Sequence, residues 1–270
     1  MAEILLTGAS GYFGHAIYQA LAPDVGITPL LGRLAEIRPG SLEPALVIHA
    51  AGALRHRQAE CFASNVQGLA SLLQGLKHPQ TPVILFSSRA VYAPSSAPLT
   101  ETSPLGSDEP YGQSKLQAER LLQESGHPYL ILRPTLVWGW NGNQAGRSFI
   151  ATAAQRLLHQ EPVTLFDPPR DHDSLYVQDL ARWMPTFLAP GPHWNQCFNL
   201  AAPPRALHTL ITALAQELET QYGIRTELHH LPGPPPRAPL MDISKFKQTF
   251  PQLGWTPDEV ILKDLVQHLR

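Results

Sequence analysis

Two residues in the stretch EPYGQSKLQAERLL, residues 109–122, have types and a spacing suited to proton transfer. Tyr111 and Lys115 lie four positions apart in a helical pattern, so both side chains fall on one face of a helix. A nearby ammonium group favours an ionised phenol and lowers a tyrosine pKa from its usual value of about 10. The same stripe continues to Ala118 and Leu122, as it does in any amphipathic helix. The pair alone therefore leaves both acid–base chemistry and plain packing open.

Three glycines near the start of the chain form a second pattern with chemical meaning. Gly8, Gly11 and Gly14 follow the apolar residues 4–6 and precede a helical pattern. Glycines there permit a tight strand-to-helix turn, and they let backbone N–H groups and the positive end of a helix face a pyrophosphate. The spacing is G-x-x-G-x-x-G. In this position it favours dinucleotide binding over an ordinary glycine-rich turn.

Elements that would hold these residues alternate along the chain. Parallel strands need crossover connections, so strand–helix alternation predicts an α/β fold. We expect a Rossmann-type doubly wound parallel sheet with a smaller C-terminal lobe. The apolar runs are residues 4–6, 27–31, 46–48, 83–86 and 130–132, and the helical patterns include 14–22, 65–77 and 111–124.

Residues 1–160 are predicted to form the dinucleotide-binding domain. Residues 161–270 are expected to be mainly a substrate-binding lobe that does not fold independently. Two later apolar runs, 163–166 and 197–200, are expected to rejoin the sheet as strands. Helices are expected at 205–220 and 257–269.

The second strand is predicted to lie at an edge of the sheet. Between Leu31 and Leu46 the chain has room for only a turn or two of helix, and not for a further strand with a full crossover helix. Pro29 interrupts the strand itself, and proline is tolerated mainly on edge strands.

Composition restricts the class of protein. The net charge of −2 argues against a nucleic-acid surface, and no apolar stretch approaches the roughly 18 residues of a membrane span. The N-terminus enters a strand pattern without a signal-peptide pattern. Cys61 and Cys197 have no C-x-x-C spacing, which favours reduced thiols and a cytoplasmic location.

The glycine turn is followed by an ordered series of motifs that covers nearly the whole chain. This series resembles the extended short-chain dehydrogenase/reductases, which are NAD(P)-dependent nucleotide-sugar epimerases, dehydratases and 4-keto-reductases. The motifs are VIHAAG (47–52), NVQGL (65–69), LFSSRAVY (85–92), YGQSK (111–115), LRPTLVWG (132–139), DSLYVQDLA (173–181), FNLAA (198–202) and LMDISKFKQTFPQLGWTP (240–257).

The resemblance implies a catalytic triad of Ser88, Tyr111 and Lys115. Ser88 would hydrogen-bond the substrate oxygen, and Tyr111 would act as the general acid–base. Lys115 would lower the pKa of Tyr111 and bind the nicotinamide ribose. The residues implied to bind the cofactor are Gly8, Ser10, Gly11, Tyr12, Phe13, Gly14, Arg33, Ala50, Ala51, Gly52, Asn65, Tyr111, Lys115 and Pro134.

NADP is predicted in preference to NAD. NAD-specific members of the family place an acidic residue after the second strand, where this chain has Gly32 and Arg33. A guanidinium in place of a carboxylate suits the additional phosphate of NADP. A solvated loop arginine is the alternative, and Arg55 or Arg57 would assist Arg33.

A small molecule, a nucleotide-linked sugar, is the expected substrate. The candidate substrate residues are Ser88, Tyr111, Asn141, Arg147 and Arg237. Asp171, His172 and Asp173 are interpreted as a polar turn, and no metal site is expected.

The expected activity is NADP-dependent oxidation or reduction of a carbonyl or secondary alcohol. Family dehydratases carry an Asp-Glu pair after the catalytic Ser or Thr; this chain has Arg89 and Ala90, which argues against dehydration. An epimerase and a non-catalytic NADP-binding regulatory or subunit protein remain alternatives. A homodimer through the segments 65–77 and 111–124 is expected from the resemblance.

Overall fold

The computed structural model describes residues 3–53, 55, 57–146, 148–233 and 239–269. In chain order the strands are β1 (Ile4–Thr7), β2 (Ile27–Pro29), β3 (Leu46–His49), β4 (Val83–Phe86), β5 (Tyr129–Pro134), β6 (Val137–Trp138), β7 (Val163–Asp167), β8 (Asp171–His172), β9 (Leu175–Tyr176), β10 (Gln196–Leu200), β11 (Arg205–Ala206) and β12 (Leu228–Pro232). The α-helices are α1 (Tyr12–Leu21), α2 (Gly68–Gly75), α3 (Pro110–Glu124), α4 (Phe149–Leu158), α5 (Val177–Leu188), α6 (Leu207–Tyr222), α7 (Ser244–Thr249) and α8 (Asp258–Leu269).

A six-stranded parallel sheet of order β10-β5-β4-β3-β1-β2 forms the centre of the molecule. Successive strand residues face opposite sides. Leu5 and Val47 pack on one side, while Leu6 and Ile48 pack on the other. Both sides are buried, as a parallel sheet with crossover helices requires. The predicted α/β, doubly wound class is confirmed.

Helices cover both faces of this sheet. Leu72 of α2 and Leu122 of α3 are fully buried on one face. Ile17 of α1 and Leu180 of α5 are fully buried on the other face, in a cluster that extends into the C-terminal region. Within the described residues, no helix is both long enough and apolar enough to cross a bilayer.

The short connection after β2 leaves that strand at the edge of the sheet, as predicted. Only a 3₁₀ turn, Leu34–Glu36, occupies the segment that would otherwise hold a crossover helix. Pro29 pairs in register with Leu6, and its missing N–H faces no further strand of the sheet.

Of the two later runs that were expected to rejoin the sheet, only residues 197–200 do so. β10 joins the sheet beside β5, as expected. The expectation for residues 163–166 is wrong, because β7 pairs with β12 in a separate two-stranded ribbon. Val163 and Leu165 of β7 are buried, whereas Phe166 is exposed. Such one-sided burial fits a ribbon packed on helices and not an inner strand of a parallel sheet.

Candidate active site

The carboxyl ends of β1, β3, β4 and β5 meet at one edge of the parallel sheet, and the glycine turn leaves β1 there. Gly8 has a φ of +73°, and a Cβ on it would lie 2.5 Å from the backbone nitrogen of Ala51. A Cβ on Gly14 would overlap the carbonyl oxygen of Gly8. Both positions therefore require glycine for close backbone packing.

The glycine turn leaves backbone N–H groups at the start of α1 without helical partners. Gly11 caps α1 without any side-chain hydrogen bond, and the first intrahelical bond is donated by His15 to the Gly11 carbonyl. The N–H groups of the preceding helical residues then have no partner inside the helix. Together with the positive helix end, these groups fit a phosphate.

Two predicted ligand residues support this turn from outside. Tyr12 donates to the carbonyl of Gly139 (2.8 Å), and burial raises the pKa of its phenol. Asn141 is completely buried and donates to the carbonyl of Tyr12 (3.0 Å). Its Oδ1 accepts from the N–H groups of residues 143 and 144. Since its carboxamide is occupied by protein, the structure favours a supporting role for Asn141 over contact with substrate.

Other predicted cofactor residues surround the same edge. Ala51 donates its N–H to Thr7 Oγ1 (3.3 Å), which brings the end of β3 against the end of β1. Ser10 is exposed in the turn, Ala50 is half-buried, and Pro134 is buried at the end of β5. Phe13 packs edge-on against Phe86, with ring centroids 5.9 Å apart.

Asn65 connects the loop after β3 to the start of α3. It lies in a π-helical turn, Phe62–Gln67, and is almost completely buried. Its Oδ1 accepts from Ala53 N (3.0 Å), and its Nδ2 donates to Ser114 Oγ (2.9 Å). Ser114 in turn donates to the carbonyl of Tyr111 (2.7 Å). Asn65 thus positions the first turn of α3.

Two adjacent serines at the end of β4 have different environments. Ser87 is buried, and its hydroxyl hydrogen-bonds the Glu119 carboxylate. Ser88 is half-buried; its hydroxyl accepts from Ala90 N (3.2 Å), and its side chain lowers the pKa of the Tyr111 phenol. Ser87 therefore interacts with Glu119, whereas Ser88 interacts with Tyr111.

Gly112 allows α3 to approach the Ser88 turn. A Cβ at this position would overlap both the carbonyl oxygen of Ala90 and the Ser107 hydroxyl. Sequence reasoning did not single out Gly112. Its signal was the glycine that directly follows the tyrosine in YGQSK.

Burial dominates the ionisation of Tyr111. It raises the phenol pKa above its usual value of 10, while the Ser88 hydrogen bond and the charge of Arg55 lower it. Tyr111 is consequently held in its protonated form.

Lys115 lies one turn along α3, and its side chain is directed inward. Its Nζ donates to the carbonyl of Phe86 (2.9 Å) and would stand 3.1 Å from a Cβ at Gly52. Burial lowers the pKa of Lys115 to about 8, and the Glu119 carboxylate opposes this shift. Lys115 therefore crosses the space between the ends of β3 and β4.

The expected cofactor arginines differ in their surroundings. Arg55 Nε donates to Glu109 (2.6 Å) in a two-pronged ion pair directly before α3, and Arg57 pairs with Glu60. Arg33 is exposed after β2, next to Gly32 with its φ of +96°. Among the described residues, no acidic group pairs with Arg33.

Arg89 connects the Ser88 turn to the C-terminal region. Its Nη2 donates to the carbonyl of Pro239 (2.6 Å), and its Nη1 lies 3.8 Å from the buried carboxylate of Asp173. Asp173 also accepts from Thr135 Oγ1 (2.8 Å) and Met241 N (2.7 Å). The interpretation of residues 171–173 as a polar turn is corrected, because residues 171–172 form β8 and Asp173 is buried.

A buried ion pair stands behind the site and was not foreseen. Arg133 donates to both Glu119 oxygens (3.0 and 2.6 Å) and to Tyr92 Oη (2.9 Å). Tyr92 donates to Asn199 Oδ1 (2.6 Å), which ties this network to β10. The candidate substrate residues Arg147 and Arg237 lie outside the described residues.

A comparison with family models identifies the chain's relatives. The model described as the NAD dependent epimerase/dehydratase family matches residues 33–201, more than half of the sequence. The chain belongs to this family. Its resemblance to the extended short-chain dehydrogenase/reductases is thereby confirmed.

Curated members of the family include both epimerases and reductases. The uncharacterized UDP-glucose epimerase YtcB of Bacillus subtilis is 25% identical, over 91% of each chain. The UDP-glucose 4-epimerase of Azospirillum brasilense is 29% identical over 66% of each chain. The dTDP-4-dehydrorhamnose reductase of Burkholderia thailandensis is 28% identical over 57% of this chain and 56% of the relative.

Solved structures share the whole fold. RMD from Pseudomonas aeruginosa, complexed with NADPH, has a TM-score of 0.81 at 23% identity. WbmH from Bordetella bronchiseptica, in complex with NAD+, has a TM-score of 0.81 at 20% identity. Each match covers 100% of this chain and 99% of the other. At these identities the likeness establishes the fold.

Proposed function

We propose that this protein is an NADP-dependent oxidoreductase that reduces a carbonyl, or oxidises a secondary alcohol, on a nucleotide-linked sugar. The observation that carries the proposal is the packing of the first turn of α3, which holds Tyr111 and Lys115, against the Ser88 turn at the edge of the sheet where the glycine turn lies. Membership of the NAD dependent epimerase/dehydratase family supports this assignment.

Ser88, Tyr111 and Lys115 have separate tasks in the proposed mechanism. When bound, the nicotinamide supplies the hydride for reduction or accepts it in oxidation. Ser88 donates a hydrogen bond to the substrate oxygen and holds it beside the Tyr111 phenol. Tyr111, kept protonated by burial, gives its proton to the oxygen as the carbonyl carbon gains the hydride, which balances the reduction. The oxidative direction is the reverse of this step: it starts from the Tyr111 phenolate, which accepts the alcohol proton as the carbon loses its hydride.

The residues at the glycine turn fit a dinucleotide. Gly8 and Gly14 leave no room for side chains, and the start of α1 offers N–H donors to the phosphates. In this proposal Lys115 binds the ribose, and its position between Gly52 and the Phe86 carbonyl supports that role. Arg33, exposed beyond the end of β2, supports the choice of NADP because its guanidinium suits a 2′-phosphate.

The two structural relatives hold different cofactors: RMD is complexed with NADPH and WbmH with NAD+. The proposal for NADP therefore rests on Arg33 and on the absence of a carboxylate at Gly32. The nucleotide-linked sugar is supported by the UDP-glucose epimerases among the relatives.

Epimerisation is a second candidate, favoured by those same relatives. An epimerase oxidises and then re-reduces one carbon, so the cofactor shows no net change. A panel of nucleotide-linked keto-sugars with NADPH separates the two activities. Net loss of NADPH absorbance supports a reductase, whereas isomerised product without net loss supports an epimerase.

Tyr111→Phe tests the mechanism for either activity. The variant loses the proton donor and keeps the ring, so we expect kcat to fall by about 10²- to 10⁴-fold with cofactor binding retained. Binding without turnover in the wild type would instead favour a regulatory or subunit protein. Undiminished turnover in Tyr111→Phe would contradict the mechanism.

A homodimer is also proposed. A groove between the π-helical turn and α3 has a mixed lining, in which Phe62, Val66, Leu116 and Leu121 stand beside polar side chains that include Arg120 and Glu124. Phe62 is 40% exposed, and burial of this apolar side chain would favour self-association. The two segments are those through which the resemblance predicts dimerisation.

A further inference from the structure

Two histidines and an aspartate from separate elements meet at one end of the β7–β12 ribbon. Asp167 ends β7, His230 lies in β12, and His208 is the second residue of α6. One ligand atom from each residue can be chosen so that all three lie within 4.8 Å of one another. These residues are far apart in sequence, so no motif predicts the cluster.

The distances in this cluster are longer than hydrogen bonds. Asp167 Oδ1 lies 3.6 Å from His208 Nδ1, and Oδ2 lies 3.4 Å from His230 Nδ1. Hydrogen bonds between these atoms would measure about 2.7–3.2 Å. A tetrahedral metal with bonds of about 2.0–2.2 Å separates its ligand atoms by roughly 3.3–3.6 Å. The observed spacing therefore suits a shared ion better than direct bonds.

The side chain of His208 makes no hydrogen bond to any of the described residues. Its side chain is only 14% exposed, its Nε2 is buried without a partner, and its Nδ1 faces Asp167 beyond hydrogen-bond distance. The ring of His230 stands perpendicular to it, with centroids 5.2 Å apart. Neither ring nitrogen of His208 is thus occupied by a hydrogen bond to a described residue, which leaves Nδ1, the nitrogen facing Asp167, available to a metal.

The neighbouring histidine on β12 points the other way. Successive strand residues face opposite sides, so His229 faces away from His230 and lies on the side of Glu227, two residues earlier. His229 Nε2 is 3.2 Å from Glu227 Oε2. His229 and His230 are both about half exposed. His229 thus provides a matched control for His230.

We propose that Asp167, His208 and His230 bind a divalent transition-metal ion of the zinc class, with water completing its coordination. Two neutral imidazoles and one carboxylate are typical zinc ligands and leave a net charge of −1 to meet the cation. Magnesium and calcium prefer all-oxygen sites and fit this donor set poorly.

Such an ion would clamp three elements together. The ribbon is already closed by Gly233 N donating to Asp167 O (2.9 Å), and α6 begins with Leu207 N donating to Arg170 O (2.9 Å). Binding an ion only in the folded state stabilises that state by mass action. The ligands lie on the ribbon and α6, apart from Ser88 and Tyr111, so the expected effect is on stability and not on the hydride step.

The test uses untagged full-length protein stripped with a chelator. Zn²⁺ is titrated in the presence of a competing chelator of moderate affinity, which suppresses weak binding to scattered histidines. We expect one ion per chain in the wild type and in His229→Asn. In His230→Asn we expect binding at least tenfold weaker. Co²⁺ should give visible d–d bands with the same dependence on His230.

Thermal unfolding with and without Zn²⁺ provides an independent readout. Zn²⁺ should raise Tm in the wild type and in His229→Asn, and it should not do so in Asp167→Asn or His230→Asn. His230 is half exposed, so its variant tests the site even if substitution of the more buried His208 impairs folding. Equal binding by the two histidine variants, or no stoichiometric ion in the wild type, would overturn the proposal.

Discussion

Gly112 lies directly against the carbonyl oxygen of Ala90, leaving no room for a Cβ between α3 and the Ser88 turn. This contact sets how near the Tyr111 phenol comes to Ser88. Gly112→Ala should push the helix away while leaving the three proposed catalytic side chains unchanged. We expect kcat/KM to fall by up to about 100-fold, since displacement by about an ångström has such effects.

Gly26→Ala is the control for this substitution, because nothing lies within 4 Å of a Cβ at position 26. Steady-state kinetics and circular dichroism of both variants would separate misplacement from unfolding. Full activity in folded Gly112→Ala would show that the close approach is not needed.

The two serines after β4 should respond oppositely to removal of their hydroxyls. Ser88→Ala loses a donor to the substrate oxygen, so we expect kcat to fall by about 10²- to 10³-fold, with only a small fall in Tm from loss of the hydrogen bond to Ala90 N. Ser87→Ala leaves buried Glu119 with one hydrogen bond fewer, so we expect a loss of about 1–3 kcal/mol in the free energy of unfolding. Kinetics and urea unfolding of both variants would check this; the reverse pattern would reassign the catalytic serine to Ser87.

Much of the central sheet could be predicted because its strands are short apolar runs buried on both faces. The edge position of β2 followed from Pro29 and the short connection after it. The strand at 163–167 was placed wrongly, since an apolar run does not reveal its partner. In the structure β7 pairs with β12, and residues of β7 that face the protein alternate with more exposed ones.

Within the site, local motifs identified Ser88, Tyr111, Lys115 and the glycine turn as candidates. Contacts between distant residues could not be read from the sequence. Asn141 was a candidate substrate residue, but its side chain donates to the carbonyl of Tyr12. Likewise, the pairing of Arg55 with Glu109 depends on how the loop after β3 meets α3.

Arg33 should discriminate between the two cofactors. Arg33→Ala removes the proposed charge-assisted contact with the 2′-phosphate, which corresponds to about a ten- to hundredfold rise in KM for NADPH. The KM for NADH should hardly change. Arg38→Ala is the matched control, because Arg38 is also exposed and lies just beyond the same 3₁₀ turn. Equal effects of both variants, or an unchanged KM for NADPH, would remove the argument for NADP.

Phe62 should control the oligomeric state. Phe62→Glu replaces an exposed apolar side chain of the groove beside α3 with a charge, so we expect the proposed dimer to dissociate to monomers in light scattering coupled to size-exclusion chromatography. Val260→Glu alters an exposed apolar side chain on α8 and should leave the mass unchanged. A wild-type protein that is monomeric at all concentrations would contradict the proposed dimer.

His49 should make the protein sensitive to mild acid. It is fully buried at the end of β3, its Nδ1 is 2.8 Å from Thr7 Oγ1, and burial lowers its pKa to about 3, with a smaller contribution from the charge of Lys115. An unfolded histidine has a pKa of about 6.5, so between these values the unfolded chain binds more protons than the folded one. The free energy of unfolding must then fall as the pH falls from about 6.5 towards 3, by up to about 1.4 kcal/mol per pH unit.

Urea unfolding between about pH 7 and pH 5 would measure this slope before most carboxylates titrate. His49→Gln should reduce it, because the substituted side chain takes up no proton in either state; His172, whose pKa burial also lowers, supplies part of the remaining slope. His78→Gln, which removes an exposed histidine, should keep the wild-type slope. If His49→Gln retained the full slope, the acid sensitivity would have to arise from other groups, and the buried neutral imidazole beside Thr7 would not be its source.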